Sequence, residues 1–164
     1  MRDLIDSIRG EYLRYKSLGE SSIAQVPDSD LSRPGPGGGN SLAVICWHVS
    51  GNLRSRFTDF LTSDGEKPWR NREEEFDDRA VSRAEFLAKW EDGWSVLFGT
   101  LDSLTDENLR DTVTIRQQPL KVYEALHRSL AHTASHVGQM VYLAKAIRGG
   151  EWTCLSIPRA KSQG

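Results

Sequence analysis

The chain is poor in the residues that staple small folds together. It has two cysteines in 164 residues, Cys46 and Cys154. They form neither a C-x-x-C pair nor a disulfide framework. Histidine is nearly as sparse, at four: His48, His127, His132 and His136. No run of 18 apolar residues occurs, which excludes an ordinary transmembrane helix and any expectation of a membrane partner. A basic arm or dense Lys/Arg stripe is also missing. With 21 basic and 23 acidic residues interspersed and a formal charge of −2, nucleic acid is not an expected partner. The opening Met1-Arg-Asp-Leu-Ile-Asp-Ser-Ile-Arg alternates charge with apolar residues and lacks the continuous apolar region of a signal peptide. These absences make a cytoplasmic location the expectation.

What is present is helical periodicity. Residues 2–18 place Leu4, Ile5, Ile8, Tyr12, Leu13 and Tyr15 at near-helical spacing, and Gly19 suits a C-terminal cap. Residues 21–40 hold Pro27, Pro34, Pro36 and Gly37-Gly38-Gly39, which break a helix; the stretch lacks the Gly-Lys-Ser/Thr ending of a phosphate-binding loop. Asn40 or Ser41 caps a second helix expected over 41–63, with Leu42, Ile45, Cys46, Val49, Leu53, Phe57 and Phe60 on one side. Residues 64–81 read as a charged excursion pinned by Trp69 and Phe76, with Arg72-Glu-Glu-Glu-Phe-Asp-Asp-Arg79 a solvated, salt-bridged loop. Ser82 and Glu85 form a capping box for a third helix reaching Leu104, whose Trp90 and Trp94 are core. Thr105–Leu109 suits a short helical turn. Thr112–Arg116 alternates like a strand without an obvious partner. Pro119 suits the first residue of a fourth helix running to Arg148 and stopping at Gly149-Gly150; the rest, with Trp152 and Pro158, is a short tail. The expectation is a single all-α domain over 1–164, a four-helix bundle with long loops.

Helical phase sorts the histidines. At about 100° per residue, His132 and His136 differ by only ~40°, so their imidazoles stand one above the other, the spacing by which one helix offers two nitrogens to one metal. His127 lies about 140° from His132 and roughly opposite His136, so it is set aside. On the second helix His48 flanks the apolar stripe and begins a polar row with Asn52, Ser55 and Asp59. Cys46 points to nearly the opposite side of that helix. His48 reaches the pair if helices two and four are adjacent or diagonal, and three neutral imidazoles plus a water would then make an open site of the catalytic kind.

The segments Asn40–Arg72 and Glu124–Lys145 resemble a small bacterial family of unknown function within the DinB/YfiT-like superfamily, and the resemblance spans nearly the whole chain. It implies an up-down-down-up four-helix bundle, commonly a homodimer. It also implies a divalent metal held by one histidine of the second helix and two of the fourth: His48, His132 and His136. Asn52 is the candidate to orient a ligand beside them. Three neutral imidazoles leave the metal open among Zn, Ni, Fe, Co and Mn. Characterised members of the superfamily include thiol-dependent transferases and isomerases. The leading expectation is therefore a metal-dependent S-transferase using a low-molecular-weight thiol, such as bacillithiol or mycothiol, and a small electrophilic substrate. Its alternatives are a metal-dependent hydrolase and a noncatalytic dimeric scaffold or ligand sensor. No residue presents itself as a general base: Asn52 cannot take a proton, and Glu124 lies two turns from His132. The catalytic residues are thus unassigned.

Overall fold

The computed structural model describes residues 1–157; Pro158, placed in the tail above, lies outside them. Four helices account for most of the chain: α1 (Asp3–Ile23), α2 (Leu42–Phe57), α3 (Arg83–Ser103) and α4 (Val122–Arg148). Their starts follow local chemistry. Ser41 Oγ accepts from the Val44 N–H at 3.2 Å, and Ser82 and Glu85 exchange bonds in a capping box. At its other end α4 stops at Gly149, whose φ of 54° few side chains tolerate.

Three boundaries differ from expectation. Gly19 does not end α1, which runs on to Ile23; a Cβ on Gly19 would lie 2.8 Å from Trp90 Cζ2. The glycine permits close contact with α3 rather than a cap. The second helix stops at Phe57 instead of residue 63, with Asp59 turned to a φ of 48°. The third difference concerns Thr112–Arg116, whose pairing partner follows directly. Strands β1 (Thr112–Ile115) and β2 (Gln118–Lys121) form an antiparallel hairpin with Pro119 opposite Thr114, so α4 begins at Val122 rather than Pro119. The two turn residues, Arg116 and Gln117, both have positive φ. They are held from outside the hairpin: Asp64 accepts the Arg116 N–H at 2.9 Å and the Gln117 N–H at 2.7 Å.

The contacts between helix ends fix the connectivity. Arg2, before α1, bonds to carbonyls at the end of α3, while Arg83, opening α3, bonds to the carbonyls of Ile23, the last residue of α1, and of Val26 just beyond it. Those two helices are antiparallel. Cys46 meets the Phe86 carbonyl and Thr100 meets that of Phe57, so α2 and α3 run parallel. Tyr12 donates to the Leu126 carbonyl at 3.1 Å and Gln25 pairs with Thr153 of the tail, so α1 and α4 are also parallel. The order is up-down-down-up. Parallel neighbours need a return crossing, which residues 58–82 supply. In the core α1 lies chiefly against α4 and α2 against α3, around Tyr12, Phe57, Phe86, Trp90 and Trp94, each at most 2% exposed. Among the described residues no helix is long and apolar enough to cross a membrane.

Candidate metal centre

Between the α1–α4 and α2–α3 pairs, α2 and α4 face one another, and the histidines meet there. His48 is 5% exposed on a helix covered on nearly every side. His132 and His136, one turn apart on α4, are half-buried. The Nε2 atoms of His48 and His136 each lie 3.2 Å from Nε2 of His132, and one ligand atom from each residue falls within 4.8 Å of the others. Among the described residues no other His, Cys, Asp or Glu joins this cluster.

The outer nitrogens say where the protons are. His48 Nδ1 lies 2.9 Å from Glu75 Oε2, and an ionised carboxylate can only accept. The proton is therefore on Nδ1, and His48 Nε2 presents a lone pair. His136 Nδ1 lies 2.9 Å from the Gln139 amide oxygen, with the same consequence. His132 Nε2 faces both lone pairs and can donate to only one, so one close contact is left without a proton. A proton or a cation is needed to reconcile the three. Burial pushes His132 down to about 4, with His136 and His48 adding to the effect, and burial lowers His136 as well. At neutral pH a proton is thus disfavoured, while tetrahedral coordination at 2.0–2.1 Å would set nitrogens about 3.3 Å apart. The donor set and the two spacings to His132 fit a divalent cation.

Glu75 is the residue that sequence reasoning missed. The Arg72–Arg79 run is not simply a solvated loop: Glu73–Phe76 forms a single 3₁₀ turn that tucks Glu75 inward and sets Phe76 4.7 Å from the His48 ring centroid. Arg70 holds Glu75 through two nitrogens at 2.7 and 2.8 Å, the side chains being 2% and 8% exposed. Burial alone would raise the Glu75 carboxyl; Arg70 and His48 together hold it below its ordinary value. Gly51 makes the room, since a Cβ there would overlap the carboxylate. The sequence trace of this arrangement is slight, an apolar Phe76 next to Glu75 in a charged run.

A model of one protein family matches residues 1–161, nearly the whole chain. The chain belongs to that family, described as protein of unknown function (DUF1572). No curated protein and no solved structure matches it. In this DUF1572 member a cavity of about 210 Å³ opens on His48 and His132, with Asn52 in its wall beside Phe57 and Phe60. The other candidates stand apart. His127 and Asp59 are exposed, and Glu124 caps α4 by accepting the Lys121 N–H at 2.7 Å. Cys46 is buried against the Phe86 carbonyl, its thiol pKa pushed up by burial.

Proposed function

We propose that this protein is a metal-dependent enzyme built on His48, His132 and His136, with thiol-dependent S-transfer to a small electrophile as its reaction. One observation carries the reading: three imidazole nitrogens converge beside a cavity, two with their lone pairs turned inward by Glu75 and Gln139. His48, His132 and His136 would hold a divalent cation, which would supply the Lewis acidity that lowers the pKa of a thiol or water. The protein's part is orientation and exclusion. Glu75 keeps the His48 proton on Nδ1, Phe76 covers the His48 ring, and Phe57 and Phe60 dry one side of the cavity.

Thiol transfer is favoured over hydrolysis because, among the described residues, no free carboxylate stands ready as a base. Glu75 is committed to Arg70 and His48, and Glu124 to the α4 cap. A thiol, with an ordinary pKa of ~8.5, yields its proton without a base far more readily than water does. The thiol, the electrophile, a homodimeric assembly and membership of the DinB/YfiT-like superfamily are parts of this reading that rest on the sequence resemblance.

The test starts with metal analysis of untagged protein. About one divalent ion per chain is expected in the wild type and in His127→Ala, with loss in His48→Ala, His132→Ala and His136→Ala. Retention in those three variants would sink the site. Loaded protein is then given bacillithiol, mycothiol or glutathione with a panel of electrophiles. Thiol consumption above a His132→Ala control is the expected result; metal without consumption would assign the centre to a noncatalytic scaffold or sensor.

A further inference from the structure

The cavity beside His48 and His132 is lined by charge of one sign. Arg56 comes from α2, Arg70 and Arg72 from the crossing between α2 and α3, Arg116 from the hairpin turn and Arg128 from α4. Among the described residues no acidic side chain lines it. The carboxylates that pair with these arginines do not line the cavity, and two of the three are shared. Glu66 alone is shared by Arg116 at 2.8 Å, Arg56 at 3.2 Å and Arg70 at 3.7 Å. Glu75 serves Arg70 and His48, and Glu73, which pairs with Arg72 at 3.1 Å, is 87% exposed. Arg128 has no ion pair among the described residues. Five guanidinium groups thus meet three carboxylates, and a divalent cation at the histidines would widen the surplus.

We propose that this recess binds the anionic end of a small substrate, a carboxylate or phosphate group held by the arginines beside the histidine site. The inference rests on the metal-enzyme reading for what the rest of the substrate does; the anion site itself is made of arginines. Guanidinium forks match both anions in geometry, presenting paired N–H donors to paired oxygens. The apolar side chains of Phe57, Phe60 and Ile115 in the same wall lower the local dielectric and strengthen the attraction. Size limits the ligand: about 210 Å³ is below the ~300–1,000 Å³ of pockets that enclose drug-sized molecules. The arginines come from four separate segments around one recess rather than along a stripe, an arrangement for a compact anion and not for a polymer backbone.

Calorimetric titration of the full chain, metal-free and metal-loaded at constant ionic strength, tests this with inorganic phosphate, malonate and the neutral malonamide. Saturable binding of phosphate or malonate at one site is expected even without metal, with malonamide silent. The stronger of the two anions identifies the substrate's group. Arg116→Gln combined with Arg128→Gln should weaken that binding at least about tenfold, as loss of charged hydrogen-bond partners does. Both side chains are largely exposed, so folding should be unaffected, and Arg14→Gln combined with Arg33→Gln, both exposed and away from the cavity, controls for net charge. Equal binding of malonamide, indifference to the double variant, or no saturation by either anion at about 10 mM would overturn the proposal. Anion binding in a protein that takes up no metal would overturn the metal centre and leave the anion site standing.

Discussion

An imidazole offers a ligand lone pair only from the nitrogen that carries no proton, so the partner of the other nitrogen sets which atom faces inward. For His48 that partner is Glu75, itself clasped by Arg70. Glu75→Ala should cut divalent-metal affinity by roughly 10–100-fold, read by competition with a chelating dye. It should also cost about 3 kcal/mol in denaturant unfolding, because buried Arg70 keeps only Glu66, 3.7 Å away and shared with two other arginines, as a counter-charge. Glu75→Gln keeps an acceptor for His48 Nδ1 and should lose less affinity than the alanine variant. Equal metal affinity in all three proteins would show that Glu75 serves the fold alone. At this scale the three histidines were readable and Glu75 was not. Helical phase relates His132 to His136 and separates His127, whereas a loop residue has no period, and its neighbours are set by where the chain happens to cross.

The hairpin shows the same division among elements. Alternation marked Thr112–Arg116 as a strand, but its turn, Arg116-Gln117, lacks the Asn-Gly or Asp-Gly pair by which such turns are recognised. Left-handed backbone costs roughly 1–2 kcal/mol per ordinary residue. Here the Asp64 carboxylate, from another segment, offsets it by accepting both turn N–H groups. Gln117→Gly should therefore stabilise the protein by about 1 kcal/mol, read as a higher denaturation midpoint; no gain would mean the turn is unstrained. Hydrogen bonding from the Glu66 backbone, aided by those of Gln117 and Arg116, holds the Asp64 carboxyl at about 2, below its ordinary 3.8. A depressed carboxyl contributes stability above its unfolded pKa and loses it on acidification. That contribution should be complete above about pH 4 and vanish as the pH falls through about 2, while Asp64→Asn shows a flatter acid limb.

For the whole molecule, the helical content and the number of helices were legible because each apolar stripe repeats with the helical period. Boundaries were less so: Gly19 looked like a stop and is a contact with Trp90. Chain directions follow from contacts far apart in sequence, such as Arg83 with Ile23 and Thr100 with Phe57, which no local pattern encodes. On the metal-enzyme reading, the site adds a link between two halves of the bundle that pair chiefly within themselves, α1 with α4 and α2 with α3. Chelation should then lower the thermal midpoint, since ligand at 100 times its Kd adds about 2.7 kcal/mol to the folded state. His132→Ala should start from a lower-affinity baseline and show no response to chelator. The ligands are 84 and 4 residues apart along the chain, so an unfolded chain keeps at most the helical pair close together. A protease that attacks opened chains would accordingly clear this protein faster wherever metal runs short, and its abundance would follow metal supply without any change in its synthesis.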